Sequence, residues 1–183
     1  MAIYASDEVL DNEPVEDRSY GIIPIQLIPS TSPSTELSST ISTANTQVLL
    51  IKQKSGNPSQ STYWAFPKGH AESYDLSNIH AAIRETHEEA GLIIPESGIL
   101  YKDAEGLTER YKSRSKGCVK EVRYWIGLAG WHGEAKIKIE EPKVVDARWL
   151  VWREALELIT FERGRELLRR AMELLDRGSQ IQG

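Results

Sequence analysis

The chain has 183 residues, enough for one domain in which a sheet and two or three helices enclose a core. With 22 Lys and Arg against 27 Asp and Glu its formal net charge is −5, which excludes nucleic-acid binding by bulk electrostatics; a phosphate ligand has to be met by local positive charge or by metal. A lone Cys118 cannot close an internal disulfide, and no basic-then-apolar leader or run of about 18 apolar residues occurs, so the expectation is a soluble protein of the cytosol or nucleus with no membrane partner.

Residues 1–18 are acidic and without periodicity, which predicts a flexible tail. A strand follows over 19–28, with Pro24 pointing to an edge, a bulge or a strand end, and its partner lies at 47–53. The Ser/Thr/Pro-rich stretch between them predicts a flexible surface loop at 29–46. Tyr63 to Phe66 suits a short aromatic-anchored strand, and Pro67-Lys68-Gly69 forces a loop. From Ser77 or Asn78, Ile79, Ala82, Ile83, Thr86 and Ala90 recur at helical spacing, and Gly91 stands where a helix ends. Ile93 and Ile94 begin an extended segment that Pro95 interrupts. Strands are expected over 119–128 and 144–151, and the tail from Trp152 through Phe161 to Leu175 is strongly helical, with Leu167, Leu168, Met172 and Leu175 on one side. The sum is an α/β (α+β) fold, a mixed sheet sandwiched between helices, as one domain over 19–176 with a short flexible tail at 177–183.

One helix carries a pattern that stability does not explain. Glu85, Glu88 and Glu89, at i, i+3 and i+4, project from one face while the apolar positions occupy the other. Like charges so placed repel by a few tenths of a kcal/mol per pair (order ~0.3), and a hard divalent cation removes that repulsion. Bound Mg²⁺ or Mn²⁺ would lower the charge of a polyphosphate for attack by water, one Glu can accept the proton of that water, and Arg84 can fix a carboxylate rotamer.

Gly69 followed by Arg84-Glu85-Thr86-His87-Glu88-Glu89-Ala90-Gly91-Leu92 resembles the box of the Nudix hydrolases, whose pattern is Gly, five residues, Glu, seven residues, Arg-Glu-aliphatic-x-Glu-Glu-x-Gly-aliphatic. The second half matches, with Thr86 in the aliphatic place. The first half departs: the loop is one residue longer and its Glu is missing, with Asp75 or Glu72 as the substitute. The resemblance implies the Nudix fold, a metal-dependent cleavage of a phosphoanhydride, metal held by the Gly69 carbonyl with Glu85, Glu88 and Glu89, and Arg84 orienting the carboxylates.

Within that superfamily, Tyr63-Trp64-Ala65-Phe66-Pro67-Lys68-Gly69-His70 is similar to the asymmetrical diadenosine tetraphosphate hydrolases, and the likeness continues through Lys120-x-Val122-x-Tyr124-Trp125, an expected strand Lys136 to Ile139, and Arg148-Trp149-Leu150. It implies a small-molecule polyphosphate as partner and conversion of diadenosine tetraphosphate to ATP and AMP. Lys68, His70, Lys112, Arg114, Lys116 and Lys120 are the candidate phosphate contacts, Tyr111 and Tyr124 the candidates for stacking on a base, and Glu141 a candidate acid outside the box. Two alternatives stand beside this. The basic run from Lys112 to Lys116 would suit a diphosphoinositol polyphosphate or diadenosine hexaphosphate, and the altered loop after Gly69 would suit a Nudix-type module that binds a nucleotide without cutting it.

Overall fold

The computed structural model describes residues 13–28, 41–56, 61–102, 107–113, 117–130 and 135–180. Its elements in chain order are β1 (Asp17–Leu27), β2 (Thr46–Lys54), β3 (Thr62–Ala65), β4 (Lys68–Gly69), helix α1 (Asn78–Ala90), a single 3-10 turn (Glu96–Gly98), β5 (Ile99–Leu100), β6 (Thr108–Lys112), β7 (Val119–Leu128), β8 (Val144–Leu150), α2 (Trp152–Leu158) and α3 (Glu162–Gln180). The strands form one mixed sheet whose path runs β3-β2-β1-β7-β5, with β8 added to β2, β4 to β1 and β6 to β7. Among the described residues only β1 and β7 pair in parallel, from Asp17 beside Lys120 to Ile25 beside Leu128.

The sheet is buried on both faces because β1 and β2 are near-continuous apolar runs, whose alternate residues serve opposite layers. Ile22, Leu49, Ile51 and Trp125 pack with Ala82 and Ala90 of α1. Their neighbours Ile23, Ile25, Val48, Leu50, Val122 and Ile126 pack with Ala155 of α2 and Leu167, Leu168, Ala171 and Leu175 of α3. This is the sandwich the sequence predicts.

Four local readings are corrected. Pro24 marks neither an edge nor an end: it sits in the middle of the central strand. On one side β1 pairs with β4 at Tyr20 and Gly21 and with β2 only from Ile25, so the missing N–H of Pro24 falls where β1 changes neighbours. The helical tail is two helices, because Thr160 docks on β3: its N–H donates to the Trp64 carbonyl at 3.2 Å and its hydroxyl accepts the Trp64 N–H at 2.8 Å. Residues 136–139 join no ladder; the Lys138 N–H donates to the Ala90 carbonyl at the end of α1. Finally, β1 begins at Asp17 and α3 runs to Gln180, inside the stretches read as tails, while 41–45 form a turn tied to α3 through Thr43 and Asp176. The acidic 1–12, the Ser/Thr-rich 29–40 and 181–183 lie outside the described residues. No helix among the described residues is long and apolar enough to cross a membrane.

Candidate active site

Helix α1 starts where the sequence allows a cap and stops where it requires a glycine. The Ser77 hydroxyl accepts the His80 N–H at 3.3 Å, and Gly91 closes the helix in the left-handed region at φ 69°, its N–H bonded to the His87 carbonyl. Thr86 serves in an aliphatic position because it is fully buried and its hydroxyl donates back to the Ala82 carbonyl at 2.8 Å. With Ala82 and Ala90 packed on the sheet, the Glu positions are turned toward β4.

Arg84 is the hub of the polar face. It donates from Nε and Nη2 to the two carboxylate oxygens of Asp75 at 3.1 and 3.0 Å, from Nη1 to Glu85 and Glu88 at 3.0 Å each, and from Nη2 to the His70 carbonyl at 2.8 Å. The guanidinium bond holds Asp75 below the usual carboxylate range, and the same bonds raise Arg84 further above its own. Glu85 is shifted the other way: burial raises it, against the pull of Arg84 and with some repulsion from Glu88.

Glu89 is the most enclosed of the three. It is 8% exposed and accepts hydrogen bonds from the Gln53 side-chain amide and from the backbone N–H of Lys68 at 2.8 Å. Loss of solvent outweighs both donors and pushes its pKa up to about 7. Gln53 is fixed in turn by the Tyr63 hydroxyl at 2.9 Å. On β4, Gly69 touches the helix so closely that a Cβ there would stand 2.0 Å from the Glu85 carboxyl carbon.

A second polar cluster lies on the sheet face shared with α3. Lys68 meets the negative field of Tyr63, Tyr111, Glu89 and Glu109 there; desolvation by itself would lower its pKa, but the surrounding charges raise it. Glu109 accepts the Tyr124 hydroxyl at 2.9 Å and is raised by burial. His70 Nε2 lies 2.7 Å from Asp17, and Lys120 Nζ lies 3.8 Å from the other oxygen of the same carboxylate.

The structure thus gathers Gly69, Arg84, Glu85, Glu88 and Glu89, and brings Lys68, His70, Lys120 and Tyr111 to the adjoining end of the sheet. Tyr111 is half-buried and pushed up to about 12 by desolvation. Tyr124 is not available for stacking: it is 3% exposed and packs edge-on against Phe66 in the core. Lys112 points outward and pairs with Glu13. Arg114 and Lys116 lie outside the described residues. Glu141 shapes the turn into β8, its carbonyl accepting the Val144 N–H at 3.0 Å. Sequence reasoning missed Gln53, Glu109 and Asp17. The only signal for Gln53 was a polar residue at the end of the apolar run of β2.

Among the described residues no three acidic, His or Cys side chains stand converged as metal ligands, since Arg84 Nη1 takes the place between Glu85 and Glu88. The donor set still fits a hard divalent cation. It is all oxygen, three carboxylates on one helix edge beside a glycine whose missing side chain lets β4 approach Glu85.

A family model described as the NUDIX domain matches residues 38–171. The chain belongs to the Nudix family. It is therefore a Nudix hydrolase, an enzyme acting on pyrophosphate bonds, and Nudix hydrolases generally use divalent metal ions. Solved structures with the same fold include an Ap4A hydrolase of C. elegans in a binary complex, at 20% identity and TM-score 0.62, covering 87% of this chain and 98% of that one. The NUDIX domain of Shewanella oneidensis NrtR, complexed with ADP ribose, is similar at 18% identity and TM-score 0.60 over 93% of this chain and 99% of that one. A NUDIX protein of Listeria monocytogenes matches at 16% identity and TM-score 0.60, over 91% and 97%. Against the Nudix pattern, Asp75 keeps the place of the Glu, with five residues between it and Gly69, so the extra residue falls between Asp75 and Arg84. The ion pair spans that longer loop, and of the two substitutes considered it is Asp75 that meets Arg84; the Glu72 N–H supports it at 2.8 Å.

Proposed function

We propose that this Nudix hydrolase cleaves a dinucleoside polyphosphate, with diadenosine tetraphosphate giving ATP and AMP as the reference reaction. The observation that carries the reading is the seating of β4 on α1: the Lys68 N–H on Glu89 and the bare Gly69 against Glu85 join the carboxylates to the strand that carries Lys68 and leads to His70. Glu85, Glu88, Glu89 and the Gly69 carbonyl would hold Mg²⁺ or Mn²⁺. When bound, the metal supplies charge neutralisation for the phosphates and a more acidic water. Arg84 keeps Glu85 and Glu88 in place. Glu89, desolvated and braced by Gln53 and Lys68, has the environment suited to accept a proton from the attacking water. Lys68, His70 and Lys120 would meet the phosphates, and Tyr111 the base.

Product analysis by ion-exchange chromatography tests this with diadenosine tetraphosphate, a diphosphoinositol phosphate and ADP-ribose, each with Mg²⁺ and with Mn²⁺, beside Glu89→Gln. ATP plus AMP from the first, absent in the variant, supports the reading. Loss of only the inositol β-phosphate, or cleavage of ADP-ribose alone, replaces it with that substrate class; ligand binding without turnover of any of the three replaces it with a binding module.

A further inference from the structure

The Asp17 carboxylate is 8% exposed at the start of the central strand, an expensive place for a charge. Parallel register sets Asp17 directly beside Lys120, whose ammonium lies 3.8 Å from Oδ2, while the His70 ring closes on Oδ1 at 2.7 Å. Two of the three candidate phosphate contacts near the box are therefore anchored on one carboxylate. His70 is pinned at both ends, its ring by Asp17 and its carbonyl by Arg84. Strand alternation puts Ser19 on the same face, and its hydroxyl is buried with no hydrogen-bond partner among the described residues. A strand end serving packing alone would gain by carrying apolar side chains at these positions, because a buried ion pair rarely outperforms a well-packed hydrophobic one.

We propose that Asp17 is a positioning residue that holds His70 and Lys120 side by side as the pair receiving the substrate's phosphate chain. This rests on the polyphosphate reading above and adds to it a residue outside the box and outside every basic segment. The role has a sign that distinguishes it from simple electrostatics. Removing a negative charge next to two basic groups should, by Coulomb's law alone, tighten the binding of an anion. If Asp17 instead supplies geometry, its removal weakens that binding although the site becomes more positive.

The test is isothermal titration of inorganic tripolyphosphate, without divalent metal, into the full chain and into Asp17→Ala and Asp17→Asn, with Glu173→Gln on the exposed face of α3 as a charge control. Steady-state kinetics on diadenosine tetraphosphate with Mg²⁺ run beside it. Expected are binding weakened about tenfold in Asp17→Ala and about threefold in Asp17→Asn, which keeps an acceptor oxygen for His70, with KM raised in parallel and kcat within about twofold. The control should bind as the parent does. Should Asp17→Ala fail to fold, Asp17→Asn decides. Unchanged or tighter binding in the variants, or a fall in kcat at constant KM, overturns the proposal. So does an unmodified chain that does not bind tripolyphosphate, and turnover of diadenosine tetraphosphate by that same preparation would then leave the hydrolase reading standing without the clamp.

Discussion

Arg84 grips Asp75 through two parallel hydrogen bonds, at 3.1 and 3.0 Å, across a loop one residue longer than the family pattern. The pair is largely covered, with side-chain exposures of 18% and 5%, so neither partner is well served by water if the other is lost. Asp75→Asn should cost about 2 kcal/mol of stability and, because Arg84 also sets Glu85 and Glu88, about 10- to 100-fold in kcat. Urea titration and steady-state kinetics on the same preparations measure both. A loss of stability with undiminished kcat would show that the Arg84 network is structural only.

Two glycines separate packing from chemistry. At Gly69 an added Cβ meets the movable end of the Glu85 side chain, whereas at Gly21 it meets the Pro67 carbonyl oxygen at 2.5 Å and the Tyr124 ring at 2.7 Å, neither of which can yield easily. Gly69→Ala should therefore fold with a Tm within a few degrees of the parent and lose more than about 100-fold in activity by displacing the Glu85 carboxylate, which the proposed function assigns to the metal. Gly21→Ala should lose about 1–3 kcal/mol or more through overpacking. Thermal scans with activity assays give the comparison.

Glu89 makes stability depend on pH in a stated direction. Its folded pKa of about 7 lies above the ordinary 4.5, so the folded state binds this proton more tightly than the unfolded one. The stabilisation is whole below about pH 4.5, declines as pH rises toward 7 and is gone above it, a total of about 3 kcal/mol. In chelator, the unfolding free energy of the parent relative to Glu89→Gln should fall by about that amount from pH 4.5 to pH 8. A difference independent of pH would mean that Glu89 titrates alike in the folded and unfolded chains. Bound divalent cation should flatten the dependence, since it favours the carboxylate form.

Tyr124 belongs to the core in this structure, and its hydroxyl serves Glu109. Tyr124→Phe should destabilise by about 1 kcal/mol by depriving a half-buried carboxylate of a donor, while leaving KM within about twofold. Tyr111→Ala, at a half-buried position beside Lys68, should raise KM. The reverse pattern would return Tyr124 to the substrate.

Helix α1 was legible in the sequence because helical periodicity and a carboxylate triplet are local: Ser77, Thr86, Glu85, Glu88, Glu89 and Gly91 all lie within a few turns of one another. What escaped was set by pairing between distant segments. Gln53 reaches Glu89 only because β2 and β4 flank the same helix edge, and Asp17 meets Lys120 only through parallel register. Pro24 read as an edge, a bulge or a strand end because nothing local reveals that a central strand exchanges one neighbour for another beside it. Tyr124 and Trp125 are adjacent aromatics on opposite faces of β7, and alternation alone cannot say which face is open.

The parallel pairing of β1 with β7 also orders events in the making of the molecule. The first strand leaves the ribosome about a hundred residues before its principal partner, so until β7 emerges it has only the short pairings with β2 and β4 available. Closing so long a loop delays the central contact, and folding should be slow for a chain of this size, with β1 exposed as an unpaired edge in the meantime. Helix α1 can form early from its own cap and periodicity, yet Lys120 waits for β7, so the carboxylate edge can be built before the His70–Lys120 pair that would receive phosphate is complete.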